Sequence, residues 1–138
     1  MRCAVLVFGG RRKQKVLAIA QSLVRGIEEQ GHDAQIVDVD TDTGFRLTGY
    51  QYIAVGTSPI STLGGKIETR ISEVLGASGH ISGKKAFAFV PRGGFGTQKA
   101  LLRLMNRLEH EGVFVRFSDV IRSPAEAAII GRRLKIDQ

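Results

Sequence analysis

Continuous apolar runs alternate with helix-spaced apolar residues along most of the chain. Residues 3–8 (Cys-Ala-Val-Leu-Val-Phe) contain no polar position and end at Gly9-Gly10, the pattern of a strand buried on both faces. From about 13 to 30, Val16, Ile19, Ala20, Leu23 and Ile27 recur at helical spacing, and Gly31 is the stop. A second strand is predicted over 34–39, and a third at Tyr52-Ile53-Ala54-Val55, closed by Gly56. Leu63, Ile67, Ile71 and Val74 predict a helix from about 62 to 76. Lys85 to Val90 reads as a fourth strand, broken by Pro91. Thr97 is the expected cap of a helix that turns Leu101, Leu104, Met105 and Leu108 inward and stops at Gly112. Val113 to Phe117 is a fifth strand, and Ser123-Pro124 opens a last helix to about 134.

Strands and helices in alternation, with the strands apolar throughout, imply one α/β domain over 1–138: a parallel sheet covered by helices on both sides. Only the 40–50 connection is too short for a full helix, so one crossover is abbreviated. In such sheets ligands bind beyond the carboxyl ends of the strands, where the strand order reverses. The loops at Gly9 to Lys15, Thr57 to Thr62 and Pro91 to Gly96 are therefore the places to look for chemistry.

Composition narrows the classes. At 138 residues, 43% hydrophobic and 24% charged, the chain is neither disordered, collagen-like nor a disulfide scaffold. Its one cysteine, Cys3, forms no internal bridge and no CxxC pair, and is expected to be a buried thiol. The first apolar run is too short to span a bilayer and lacks a signal peptide's cleavage site, so a cytoplasmic protein is expected. His32, His80 and His110 have no metal-ligand spacing, and no Ser-His-Asp set or carboxylate pair stands at the loop edge. Gly64-Gly65-Lys66 is not a phosphate loop, because position 60 is isoleucine. The net charge of +7 is unevenly spread: residues 1–27 carry +6, residues 28–83 carry −5, and residues 84–138 carry +6. Such a sided, basic molecule suits an anionic small molecule or an acidic partner protein.

The three loops have different chemistries. Gly10, Arg11, Arg12, Lys13, Gln14 and Lys15 put four cations at a helix start, where each opposes the macrodipole by roughly 0.3–1 kcal/mol. Either an anion sits there or the turn is simply solvated; the clustering favours the anion. Thr57, Ser58, Pro59, Ile60 and Ser61 offer hydroxyls and backbone groups, although Ser61 and Thr62 are equally natural helix caps. Arg92, Gly93, Gly94, Phe95 and Gly96 combine three glycines with one cation and one ring, either a ligand loop or a flexible turn. Lys99, Arg103 and Arg107 form a stripe on the predicted third long helix, a solvated face or, with Arg132, Arg133 and Lys135, a docking surface.

Three stretches carry a family resemblance: Tyr50-Gln51-Tyr52-Ile53-Ala54-Val55-Gly56-Thr57-Ser58-Pro59, Gly83-Lys84-Lys85-Ala86-Phe87-Ala88-Phe89-Val90 before a glycine-rich loop, and the Gly26 to Val39 segment. Together they resemble the flavodoxin-like family. That resemblance implies a three-layer α/β/α sandwich with a five-stranded parallel sheet in the order 2-1-3-4-5. It also implies FMN held across the three loops, and with it a flavoprotein acting in electron transfer or as a small flavin-dependent oxidoreductase component. Its site residues would be Gly10 to Lys15, Thr57 to Ser61 and Arg92 to Gly96, with Phe95 stacking on the flavin.

The family's first loop reads S-x-T-G-x-T, whereas Arg11-Arg12-Lys13-Gln14-Lys15-Val16 stands there, without a hydroxyl or the internal glycine. Cations with charge-assisted bonds would have to replace the hydroxyls. A position that often carries an aromatic ring in the second loop is Ile60. Two readings follow: an FMN-binding protein, whose redox partner would be acidic because the chain is basic, or a binding or regulatory module of the same fold that has lost FMN and docks an acidic partner. Nucleic-acid binding ranks last, since only seven Phe and two Tyr are present and no recognition motif is.

Overall fold

Side chains along a strand alternate between faces, and here both faces of the central strands are covered. In the computed structural model, which describes residues 1–137, β1 (Arg2–Phe8) is buried from Cys3 onward. All six residues of β3 (Tyr52–Thr57) are buried, as are all but the first of β4 (Lys85–Pro91). The edge strands β2 (Asp33–Asp38) and β5 (Phe114–Ile121) are only partly buried. The sheet is parallel throughout, in the order β2-β1-β3-β4-β5, as the resemblance implies.

The alternation divides the core in two. Val5, Val7, Ala54, Phe87 and Phe89 pack with Val16, Ile19, Leu23 and Ile27 of α1 (Lys13–Glu29) and Ala127 of α4 (Pro124–Arg133). Leu6, Phe8, Ile53, Val55 and Ala88 pack on the other face with Ile71 and Leu75 of α2 (Arg70–Ala77) and with Ala100, Leu104 and Leu108 of α3 (Thr97–His110). The chain passes from β2 to β3 without a helix, and Leu47 covers that part of the core instead.

Three expectations are corrected. The helix predicted from about 62 begins at Arg70. Gly64 and Gly65 take φ of 84° and 68°, which no helix accepts, and Leu63 is 65% exposed rather than inward. Ser61 and Thr62 therefore cap nothing; the Ser61 hydroxyl donates to the Leu63 carbonyl. Gly96, left-handed at φ 80°, precedes α3, and the Thr97 hydroxyl donates back to the Gly93 carbonyl at 3.0 Å instead of capping. β5 runs on to Ile121, past the predicted end at Phe117, because a register shift at Ala86/Phe87 resets its pairing with β4. Ser123 does cap α4, accepting from the Glu126 amide, with Pro124 in the first turn. Among the described residues no helix is long and apolar enough to cross a membrane.

Candidate functional site

The strand order reverses beside β1, and there the carboxyl ends of β1, β3 and β4 bring the three loops together. After Phe8 the chain turns through a short 3-10 helix (Gly10–Arg12) into α1. This is the place where backbone N–H groups could receive an anion. All three amides of that turn have internal acceptors. Gly10 N donates to Glu68 Oε2 at 3.0 Å, Arg11 N to the Pro59 carbonyl at 3.1 Å, and Arg12 N to Ser58 Oγ at 2.9 Å. The Ser58 hydroxyl in turn donates to the Gly9 carbonyl, and Thr57 Oγ1 turns inward to the Ser58 carbonyl at 3.4 Å. Both hydroxyls are buried and used. Gly10 has φ 64°, and a Cβ there would overlap the Ser58 carbonyl, so the first two loops touch backbone to backbone.

The Glu68 carboxylate does not stand alone. Its Oε1 takes a hydrogen bond from Arg70 Nε at 2.6 Å, and Arg70 Nη2 reaches Asp40 Oδ1 at 2.5 Å. Lys13 Nζ lies 2.7 Å from Asp40 Oδ2 and 3.1 Å from Asp38 Oδ2. The hydrogen bond from Lys13, then that from Arg70, holds Asp40 below the usual carboxylate range. The same contacts push Lys13 and Arg70 above their ordinary values. Three carboxylates thus face two cations around the start of α1. Lys13, a candidate for anion binding, is committed to two of those carboxylates.

The remaining cations face the third loop. Lys15 Nζ donates to the Arg92 carbonyl at 2.6 Å, and Arg12 Nη1 reaches the same oxygen at 3.5 Å. The Arg12 guanidinium lies where a Cβ on Gly93 would be, and Gly93 itself is at φ 140°. The crevice between Arg11, Arg12, Pro59, Ser61, Gly94 and Phe95 consequently encloses only about 20 Å³. Phe95 is 74% exposed and Ile60 45%, and Gln14 is exposed on the first turn of α1. The Arg11 and Arg92 side chains are exposed and have no ion-pair partner among the described residues. Beside Arg92 a wider cleft of about 630 Å³ runs to Asp119, Arg122 and Glu126.

The structure thus brings the three sequence-predicted loops together and gives their polar groups to one another. Asp38, Asp40, Glu68 and Arg70 were missed by sequence reasoning; the acidic middle third of the chain was the one available signal. Arg103 and Arg107 are also engaged, each donating to a carbonyl of the 58–69 loop, at Gly64 and Glu68. No cluster of metal-ligating side chains exists among the described residues. Cys3 is buried, and burial pushes its thiol up to about 11.

In this arrangement the residues do not fit a flavin mononucleotide. The amides that would hold its phosphate are taken, Lys13 and Arg70 are already neutralised by Asp38, Asp40 and Glu68, and Arg12 lies in the crevice between the second and third loops.

No family model matches the chain, and no curated protein does. Solved structures do match it over almost its full length. A flavodoxin from the domain Archaea covers 96% of this chain and 95% of its own, with a TM-score of 0.64 at 19% identity. The oxidised flavodoxin 1 of Bacillus cereus covers 94% of each, with a TM-score of 0.69 at 18% identity. A flavodiiron protein of Giardia intestinalis reaches a TM-score of 0.69 at 14% identity, and 35% of that chain is matched. The fold is that of the flavodoxins.

Proposed function

We propose that this chain is a flavodoxin-fold binding module that docks an acidic partner on its strand-end loops and holds no resident flavin. The observation that carries this reading is the Gly10 amide donating to the Glu68 carboxylate, an internal anion on the turn that opens α1. Arg11, Arg12, Lys15 and Arg92 then form the receiving surface. Lys15 and Arg12 hold the third loop in place through the Arg92 carbonyl, while Arg11 and Arg92 point free charge outward. Charges of one sign on exposed loops steer association and make it sensitive to salt.

A second reading has its own support. The matched structures are flavodoxins over nearly the whole chain, and the three loops of that fold converge here. Under that reading the chain is an FMN-binding electron carrier. Glu68 and Arg12 must then leave the positions they occupy before the Gly10 to Arg12 amides and the crevice become accessible.

One pair of titrations separates the two. Purified protein is mixed with FMN and followed by flavin fluorescence, and separately with a polyglutamate peptide, both at low and moderate salt. The leading reading expects no saturable FMN binding at micromolar protein. It expects salt-sensitive peptide binding that weakens about two- to thirtyfold in R11A/R92A, since rim charges contribute roughly 0.2–1 kcal/mol each. One-to-one FMN binding with quenched fluorescence would overturn it in favour of the electron carrier.

A further inference from the structure

Another cavity, of about 530 Å³, lies against the open edge of the sheet. Its position follows from how α4 is held. Gly26 and Gly131 meet where α1 and α4 cross: a Cβ on Gly131 would lie 3.0 Å from the Gly26 Cα, and one on Gly26 would overlap the Ala128 carbonyl. The Gln30 side-chain amide donates to the Gly131 carbonyl at 2.6 Å and to that of Leu134 at 2.9 Å. These contacts draw α4 onto α1 and leave the neighbouring face of β5 open; no β5 residue before Ile121 is fully buried. The result is a groove whose floor includes Tyr52, the first residue of β3, and which extends along β5 as far as Asp119.

The groove has an apolar floor and a cationic rim. Phe117 stacks on Phe87 at 5.4 Å with 16° between the planes, and Phe87 stacks on Phe89 at 5.6 Å. That aromatic ladder ends at Phe117, which is 47% exposed and lines the groove, so the next ring position is open. Arg116, Arg133 and Lys135 stand around it, all exposed and none with an ion-pair partner among the described residues. Among the described residues, Asp119 is the one carboxylate in the lining. Tyr52 is 2% exposed and lines the groove, and its hydroxyl has no hydrogen-bond partner among the described residues. Burial also raises the phenol's pKa, so it remains a donor throughout the physiological range.

We propose that this groove binds a planar aromatic anion, a carboxylate or sulfonate, stacked on Phe117 with its acid group among Arg116, Arg133 and Lys135 and within reach of the Tyr52 hydroxyl. The ring extends the aromatic ladder, and among the described residues the acid group meets three cations against a single carboxylate. Of the cleft beside Arg92 this site shares only Asp119, and it does not depend on what the strand-end loops bind.

The test uses the full chain and anilinonaphthalene sulfonate as the probe, with naphthoate as competitor. The expected result is saturable, one-to-one fluorescence enhancement that naphthoate displaces. The dissociation constant should rise about two- to thirtyfold in R133A/K135A from lost charge, and about two- to twelvefold in F117S from lost stacking. Y52F, which keeps the ring, should weaken binding about threefold with circular dichroism unchanged. R11A/R92A should bind as the native chain does, which keeps the outcome independent of the strand-end reading. Equal affinity in native chain and R133A/K135A, whose changes are on exposed residues, would overturn the proposal. So would non-saturating fluorescence, or a dimer in sedimentation that F117S dissociates while the probe fails to bind.

Discussion

At the residue scale, Glu68 is where the geometry departs most from a phosphate site. It closes the Gly10 amide with a charge-assisted bond, the kind that contributes about 1.5–3 kcal/mol when neither partner is solvated; at 17% exposure Glu68 sits toward the lower end. E68A removes that bond and leaves Arg70 with Asp40 alone. We expect a loss of about 1–2 kcal/mol in urea unfolding and, in exchange, a gain in thermal stabilisation by inorganic phosphate that the native chain does not show. A variant that phosphate stabilises no more than it does the native chain would mean the turn is no anion seat even when opened. Asp40 gives a pH signature. Its folded pKa lies below the ordinary carboxylate value, so its contribution is complete above that value and is lost as pH falls through the folded one. D40N should therefore lower the melting temperature at neutral pH, with the gap to the native chain closing in acid; a pH-independent gap would contradict this. Cys3, buried with its thiol pushed up to about 11, should resist alkylation at pH 8 and react fully once urea unfolds the chain.

At the scale of elements, the strands were legible and the loops between them less so. β1, β3 and β4 are read from apolar runs because burial on both faces disfavours polar residues, the buried Thr57 having its hydroxyl bonded internally. α1 and α3 follow from residues such as Ile19, Leu23, Leu104 and Leu108, each wholly buried. The start of α2 was misplaced because Leu63 and Ile67 have helical spacing while Gly64 and Gly65 need left-handed backbone, a requirement that apolar periodicity does not register. Gly65 has a further reason to be glycine, since a Cβ there would overlap the Gly96 carbonyl where the second loop crosses the start of α3. The site was legible only as three loops that converge. That Glu68 folds back on Gly10, 58 residues away, is a long-range contact with no local pattern. The α1–α4 crossing supplies a structural prediction: G131V places a branched side chain against the Leu23 carbonyl and Gly26. Overpacking of this sort costs about 1–3 kcal/mol, seen as a lower urea midpoint at unchanged slope.

For the whole molecule, the parallel sheet sets how the chain must assemble. Cys3 pairs with Tyr52, 49 positions on, and Lys85 pairs with Phe114, 29 positions on. No two neighbouring strands are joined by a hairpin. Each pairing has to wait for the intervening helix or loop to be laid down, because closing the longer loop costs entropy before any contact repays it. β1 is the extreme case, since it lies between β2 and β3 and borders both sides of the order reversal. During synthesis β1, α1 and β2 can join once residue 38 is free of the ribosome, but the other edge of β1 stays unpaired until β3 is complete at Thr57. For that interval an almost wholly apolar strand has one edge open to any other extended chain. The vulnerable stage in the life of this protein is thus a nascent chain between those two points, before the second and third strand-end loops exist.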